Sequence, residues 1–479
     1  MSSKQHAAIL CGPGMGHLIP VLELGKRLVT HLNFAVTIFI SPSSEAELKA
    51  ATSTKILDIV QLPRPDISGL VGPDTSVTTN LVVMMRELRH EFRSAVRAMK
   101  FTPTMLIVDL FGTESFPIAE ELGIPKYLFF ASNAWFFSFL ICSLTFDKEV
   151  EGNFVDHKEP LKIPGCREFR PQLDVFDVML YRTNQQYHDF VGIASRIPKC
   201  SDGILLNTWE ELEPTTLAAL RDENLLGQHL TVPVYPIGPI IRPNDLSCSK
   251  GKVFDWLDKQ PSESVIFVSF GSGGALSHEQ MTEIAWGLEF SQQRFIWVIR
   301  APTTTTADAA YFTADCDNED LLKYLPEGFV DRTKDLGLVI PLWAPQVEIL
   351  AHPSVGGFLS HCGWSSTLES LTNGVPMIVW PLHAEQRPNA TLLTEEFKVA
   401  VRSKIPPWKK MVDGKEIEKM VRMIMEDQKG FVLRERMKKL KESAAQALEE
   451  GGSSRNALSQ FAKHGESMHM KLANVNVRN

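Results

Sequence analysis

The chain has no apolar run of the ~18–20 residues that a bilayer-crossing helix needs. Its nearest approach, Tyr127–Leu144, is interrupted by Ser132, Asn133, Ser138 and Ser143 and reads as a strand followed by a buried helix. It has no C-x-x-C pair either. The seven cysteines are scattered and odd in number, which fits reduced thiols better than a disulfide framework or a zinc site. In that setting the single sequon, Asn389-Ala-Thr391, carries no glycan meaning. No leader of the secretory kind is expected, because residues 1–6 are polar and the next apolar run is cut short by Gly12-Pro13-Gly14. Excess positive charge is absent: 49 Lys plus Arg against 57 Asp plus Glu give −8. That balance disfavours nucleic acid and anionic membranes, which both reward a basic face. The one basic stretch, Arg434–Lys441, alternates with Leu433, Met437 and Leu440 at helical spacing and reads as a solvated helix face.

What is present is material for two cores. A length of 479 residues exceeds one ordinary domain, and 44% apolar content is a normal globular mix. Short apolar runs at Ala7–Cys11, Ala35–Ile40, Ile56–Leu62, Met105–Leu110, Tyr127–Phe130 and Gly203–Leu206 predict buried parallel strands. Amphipathic stretches lie between them; Leu81, Met85, Leu88, Phe92 and Val96 place one stripe on a helix. Around Pro236–Lys252 the composition turns to Pro, Gly, Ser and Asn, as in a linker. The rhythm then resumes at Val265–Phe270, Phe295–Ile299, Leu338–Leu342, Val355–Leu359 and Met377–Trp380. Two doubly wound α/β domains with a cleft between them follow, and such sheets bind ligands at the carboxyl ends of their strands. Residues 301–320, small and acidic, read as a surface loop.

Chemistry-bearing residues collect at those strand ends. In Trp343–Gln386 a short strand ends at Ser360-His361-Cys362-Gly363, and a helix opens at Trp364-Ser365-Ser366 with Glu369 on its first turns. A glycine-bearing strand-to-helix turn exposes N–H groups and the positive helix end, which suits a phosphate. His361 and Ser366 add donors, Glu369 suits ribose hydroxyls, and Trp343 offers a flat face for a base. Glu385 and Gln386, past the next strand, offer acceptors and an amide for sugar hydroxyls. Near the start, the strand Ala7–Cys11 runs through Gly12-Pro13-Gly14-Met15-Gly16 into a helix bearing His17 at its first turn. An imidazole there can take a proton from a hydroxyl, given a partner that supports its charge. Asp109, at the end of Met105–Val108, is that candidate partner.

Trp343–Gln386 resembles the signature box of plant secondary-product glycosyltransferases of family 1, in WAPQ, HCGW, STLES, GVP and the closing acid-Gln pair. The likeness extends to GHLIP at Gly16–Pro20, LLNTWEELE at Leu205–Glu213 and VSFGS at Val268–Ser272. It implies a GT-B fold: residues 1–240 as an acceptor-binding Rossmann-like domain, 241–450 as the UDP-sugar domain, and 451–479 packing back on the first. Carried over, it puts Trp343 under the uracil, Gln346 beside the nucleoside and Glu369 on the ribose, with Ala344 among the donor contacts. His361, Gly363, Ser365, Ser366 and Ser272 attend the diphosphate, and Trp364, Glu385 and Gln386 the sugar. His17 and Asp109 become the catalytic pair of an inverting transfer from UDP-glucose. Two positions depart from the pattern: Ser365 replaces the usual Asn, and Glu385 stands where many relatives have Asp.

The resemblance further implies no metal. Asp315-Cys316-Asp317, an Asp-x-Asp pair, sits in a Thr- and Ala-rich loop rather than after a strand. The expected acceptor is a small phenol or flavonoid, from the likeness of Asp109–Thr113 to the hydroquinone and phenylpropanoid subgroup. Its candidate contacts are Met15, Glu87, Phe116, Ser132, Trp135 and Phe136, whose aromatic character suits a flat ring. A monomeric cytoplasmic enzyme without cofactor is expected. Three rivals stand beside this reading. A nicotinamide enzyme would need glycine in place of His17 and an acid after the second strand, where Ile40-Ser41-Pro42-Ser43 has none. A non-catalytic UDP-sugar binder would have no use for His17 and Asp109. The same fold with another UDP-sugar or a non-phenolic acceptor stays open.

Overall fold

The computed structural model describes residues 4–72, 74–245, 249–303 and 320–476. The chain divides into two compact units, Met1–Ile241 with Gln446–Asn479, and Arg242–Ala445. The first holds a seven-stranded parallel sheet of β1 (His6–Leu10), β2 (Ala35–Ile40), β3 (Asp58–Gln61), β4 (Met105–Val108), β5 (Lys126–Phe130), β6 (Gly203–Leu206) and β7 (Val234–Pro236). Their order is β3-β2-β1-β4-β5-β6-β7. The central strands are buried along almost their whole length, which is why they read as continuous apolar runs. The winding reverses between β1 and β4, paired from Ala7↔Met105 to Leu10↔Val108. The turns leaving these two strands therefore lie side by side at the switch point where such sheets take ligands.

The second unit repeats the plan with β8 (Val265–Ser269), β9 (Arg294–Ile299), β10 (Gly337–Pro341), β11 (Val355–Ser360), β12 (Met377–Val379) and β13 (Ala400–Arg402), in the order β10-β9-β8-β11-β12-β13. Its switch point lies between β8 and β11, paired from Val355↔Val265 to Ser360↔Ser269.

Three expectations need correction. The edge strands β7 and β13 were not foreseen, being three residues each. Pro236 ends β7 within the supposed linker Pro236–Lys252; proline is tolerated because β7 lies at the sheet edge, where one side needs no donor. Beyond it, Ile237 and Ile240 are buried, and Asn207 bonds both the N–H and the carbonyl of Ile240, so the segment is core as far as Ile240. The stripe Leu81–Val96 is buried as expected but divides at Leu88 into helices Val77–Glu87 and Arg89–Arg97. The Asp315–Asp317 pair lies outside the described residues. Leu433 and Met437 are buried while Glu435, Arg436 and Lys438 are exposed, the solvated face expected of that basic helix.

Candidate active site

In the first unit the turn from β1 places His17. Gly14 caps the helix Met15–Leu32 at φ 103°, a backbone state that favours glycine. His17 Nδ1 lies 3.1 Å from Asp109 Oδ2. Asp109 is 2% exposed at its side chain and His17 22%, so the acid is enclosed while the imidazole keeps an open edge. The carboxylate is fixed by backbone donors: Gly12 N–H to Oδ2 at 2.8 Å, and Phe111 and Gly112 N–H to Oδ1 at 3.1 Å each. Gly12 has to be glycine, since a Cβ there would fall 2.3 Å from Asp109 Oδ2. The Phe111 ring meets the His17 ring edge-on at 5.3 Å between centroids.

The acceptor candidates divide by depth. Ser132, Trp135 and Phe136 gather where β5 passes into the helix Ala134–Glu149, at 7%, 2% and 7% exposure. Trp135 packs on Phe169 at 4.5 Å, and Phe136 on Phe176 at 5.0 Å. Met15 is half-buried beside His17, and Glu87 is exposed at the last turn of its helix. Phe116, at 0% exposure, is buried at the start of the helix Phe116–Leu122.

The second unit gathers most of the box at its own switch point. Trp343, past β10, is 61% exposed, with Ala344 buried next to it. Gln346 opens the helix Gln346–Ala351, and its Nε2 donates to Ser366 Oγ at 2.8 Å and Glu369 Oε2 at 2.7 Å. Burial raises the Glu369 carboxyl to about 7, opposed by the Gln346 bond and the Arg242 charge and assisted by Glu348. Burial, with the nearby His383, depresses His361 to about 3, so its imidazole is neutral at ordinary pH. The ring sits between two glycines: a Cβ on Gly271 or Gly363 would lie 2.6 or 2.5 Å from it. Gly363 caps helix Trp364–Asn373 without a side-chain acceptor, and Ser365 is half-buried on its first turn while Trp364 is buried. Ser272, exposed, follows β8 in the adjoining turn.

Glu385 is tied to the His361 turn through Asn389, whose Nδ2 bonds Cys362 O at 2.9 Å and reaches Glu385 Oε1 at 3.5 Å. Gln386 is 3% exposed, and its Oε1 accepts from Leu382 N at 2.8 Å and His383 N at 3.1 Å. The carbonyl half of that amide is therefore occupied by the loop. Sequence reasoning missed Arg242 and Glu348, whose ion pair (3.3 Å) lies near Glu369. No local pattern marks them, because each acts on a residue distant in the chain. Among the described residues no group of His, Cys, Asp and Glu is placed to hold a metal, and no helix is long and apolar enough to cross a membrane.

The profile of the UDP-glucoronosyl and UDP-glucosyl transferase family matches residues 244–434. Anthocyanidin 3-O-glucosyltransferase 5 of Manihot esculenta is 56% identical, over 97% of this chain and 96% of its own length. Hydroquinone glucosyltransferase of Rauvolfia serpentina is 43% identical, over 96% of this chain and 98% of its own. Among solved structures, TcCGT1 in complex with UDP superposes with a TM-score of 0.91 at 48% identity, covering 98% of this chain and 100% of that one. Phytolacca americana UGT2, complexed with UDP-2fluoro-glucose and pterostilbene, gives 0.85 at 37% identity, over 96% and 100%. Two parallel-sheet units of Rossmann order, a box that matches from Trp343 to Gln386 and likeness along nearly the whole length lead to one assignment: the chain is a GT-B enzyme belonging to the plant family 1 UDP-dependent glycosyltransferases.

Proposed function

We propose that the enzyme transfers glucose from UDP-glucose to a hydroxyl of a small phenolic or flavonoid acceptor with inversion, giving a β-glucoside. The observation that carries the chemistry is the His17–Asp109 pair. With Nδ1–H donated to the carboxylate, Nε2 holds the lone pair that takes the acceptor proton, and Asp109 supports the imidazolium that forms. The acceptor oxygen bonds to the anomeric carbon as the bond to the β-phosphate oxygen breaks, and UDP leaves with that electron pair. The helix start at Gly363–Ser366, the neutral His361 and Ser272 receive the diphosphate charge in place of a metal. Trp343 and Ala344 take the uracil, and Gln346 with Glu369 the ribose. Trp364, Glu385 and the Gln386 amide take the sugar, with Ser365 in the place where relatives commonly have Asn. The donor belongs to the 241–450 region. The acceptor belongs to 1–240, at Met15, Glu87, Phe116, Ser132, Trp135 and Phe136, with 451–479 bracing that domain. The names of the cassava and Rauvolfia relatives support phenolic acceptors and glucose as the sugar. A monomer in the cytoplasm completes the reading. A screen of phenolic aglycones against UDP-glucose, read by mass spectrometry with anomeric coupling by NMR, tests it. An α-linked product, or UDP binding without turnover on any acceptor, overturns it.

A further inference from the structure

The helix Ala134–Glu149 begins inside the core of the first unit, where its leading N–H groups cannot reach water. One is met locally: Asn133 Oδ1 accepts from Phe136 N at 2.7 Å. The others are met from far along the chain. Glu213 Oε2 accepts from Ala134 N at 2.9 Å, and Oε1 from Trp135 N at 3.0 Å. The Thr208 hydroxyl donates to the same Oε2 at 2.6 Å. Glu213 is 4% exposed, and burial pushes its carboxyl above the ordinary range while these three bonds hold it down.

A buried carboxylate is a costly way to cap a helix, since Ser, Thr, Asp or Asn at the cap position meets such donors with less desolvation. What the distant acid adds is registration. Thr208 lies just past β6, next to β5, and its carbonyl accepts from Gly238 N at 2.7 Å beyond β7. The exits of three neighbouring strands are thereby locked to the backbone of Trp135. Ring packing on Phe169 and Phe176 fixes how the Trp135 and Phe136 side chains lie, but the caps fix where their main chain starts.

We propose that Glu213 is a positioning residue of the acceptor site, setting the location of Trp135 and Phe136 through the first turn of their helix. This rests on the proposed acceptor reading and touches no donor residue.

Glu213→Gln tests it. The amide keeps the shape but turns an NH2 toward a backbone N–H, losing one cap. The acceptor KM is expected to rise about tenfold, a misplacement cost well below the ~10² that an ångström can carry, while the KM for UDP-glucose stays within about twofold. Asn133→Ala, which uncaps Phe136 N, is expected to give the same split and carries the test if Glu213→Gln does not fold. Thr208→Val keeps both caps but removes the bond that ties Glu213 to the exit of β6, and is expected to raise the acceptor KM by less than Glu213→Gln does, again without moving the KM for UDP-glucose. A parallel rise in both KM values, or an unchanged acceptor KM in a folded Glu213→Gln, overturns the proposal. Trp135→Ala and Phe136→Ala separate the two readings. If neither moves the acceptor KM, the acceptor site itself is misplaced. If both do and Glu213→Gln does not, only the positioning role is lost.

Discussion

Asp109 holds His17 with one oxygen, at 3.1 Å, and spends its remaining lone pairs on the backbone of Gly12, Phe111 and Gly112. The acid is thus oriented by the same two turns that leave β1 and β4. Its direction is set before any ligand arrives.

Replacing His17 with Ala should lower turnover at least ~10²-fold with an aliphatic alcohol acceptor, the usual contribution of a general base. UDP affinity should change little. Acidic phenols, which ionise unaided, should lose less. Steady-state rates across acceptors of graded pKa measure this, and full activity on the alcohol contradicts the assignment.

Gly12→Ala attacks the same pair through the backbone. Its Cβ would lie 2.3 Å from Asp109 Oδ2, so either the acid or the turn must move. A loss of about 1–3 kcal/mol in unfolding free energy is expected, as for other overpacked sites, together with a drop in kcat larger than the stability change explains. Denaturant titration and kinetics on the same sample decide it.

Donor binding should depend on pH through Glu369. Its carboxyl, raised to about 7, must ionise to accept ribose hydroxyls, so UDP should bind more weakly as pH falls below 7. The effect is at most about tenfold per unit. His361, near 3, stays neutral across that window and adds no second titration. Calorimetry of UDP from pH 5.5 to 8 should lose this slope in Glu369→Gln; a slope that persists there points to another group.

Gln386 permits a cleaner test than simple truncation. Gln386→Glu keeps an oxygen for the Leu382 and His383 N–H groups but removes the amide donors, whereas Gln386→Ala removes both. The first should slow glucose transfer by about 1–3 kcal/mol in kcat/KM and spare UDP affinity. The second should also loosen the loop. Equal weakening of UDP and UDP-glucose by Gln386→Glu would remove this residue from the sugar.

Excess EDTA should leave most of the activity. Loss restored by Mn²⁺ would return attention to Asp315 and Asp317.

The sequence made the sheets legible because each central strand is enclosed on both sides, leaving an unbroken apolar signal. It lost β7, whose short run ends in a proline, and β13, whose short run ends in Arg402. His17 and Asp109 were visible as a pair because each follows an apolar run, and β1 does pair with β4. The partners of the Gln386 carbonyl were not legible, because they are backbone N–H groups of a loop, which no residue type announces. Glu213 stood within a segment picked out by family likeness, yet its partners, Ala134 and Trp135, lie 79 and 78 positions away.

The first unit is not continuous in the chain. Helix Ser453–Asn476 returns to it, with Phe461 edge-on to Tyr127 at 4.8 Å, His464 Nδ1 2.9 Å from the Tyr127 hydroxyl, and Ala457, Leu458 and Ala462 in the same core. During synthesis, therefore, the sheet of the first unit waits for residues that are translated only after the whole of the second unit. Until then the Tyr127 hydroxyl and the side of β7 stand without their cover, and a nascent chain halted inside the second unit presents an unfinished first one to chaperones and proteases.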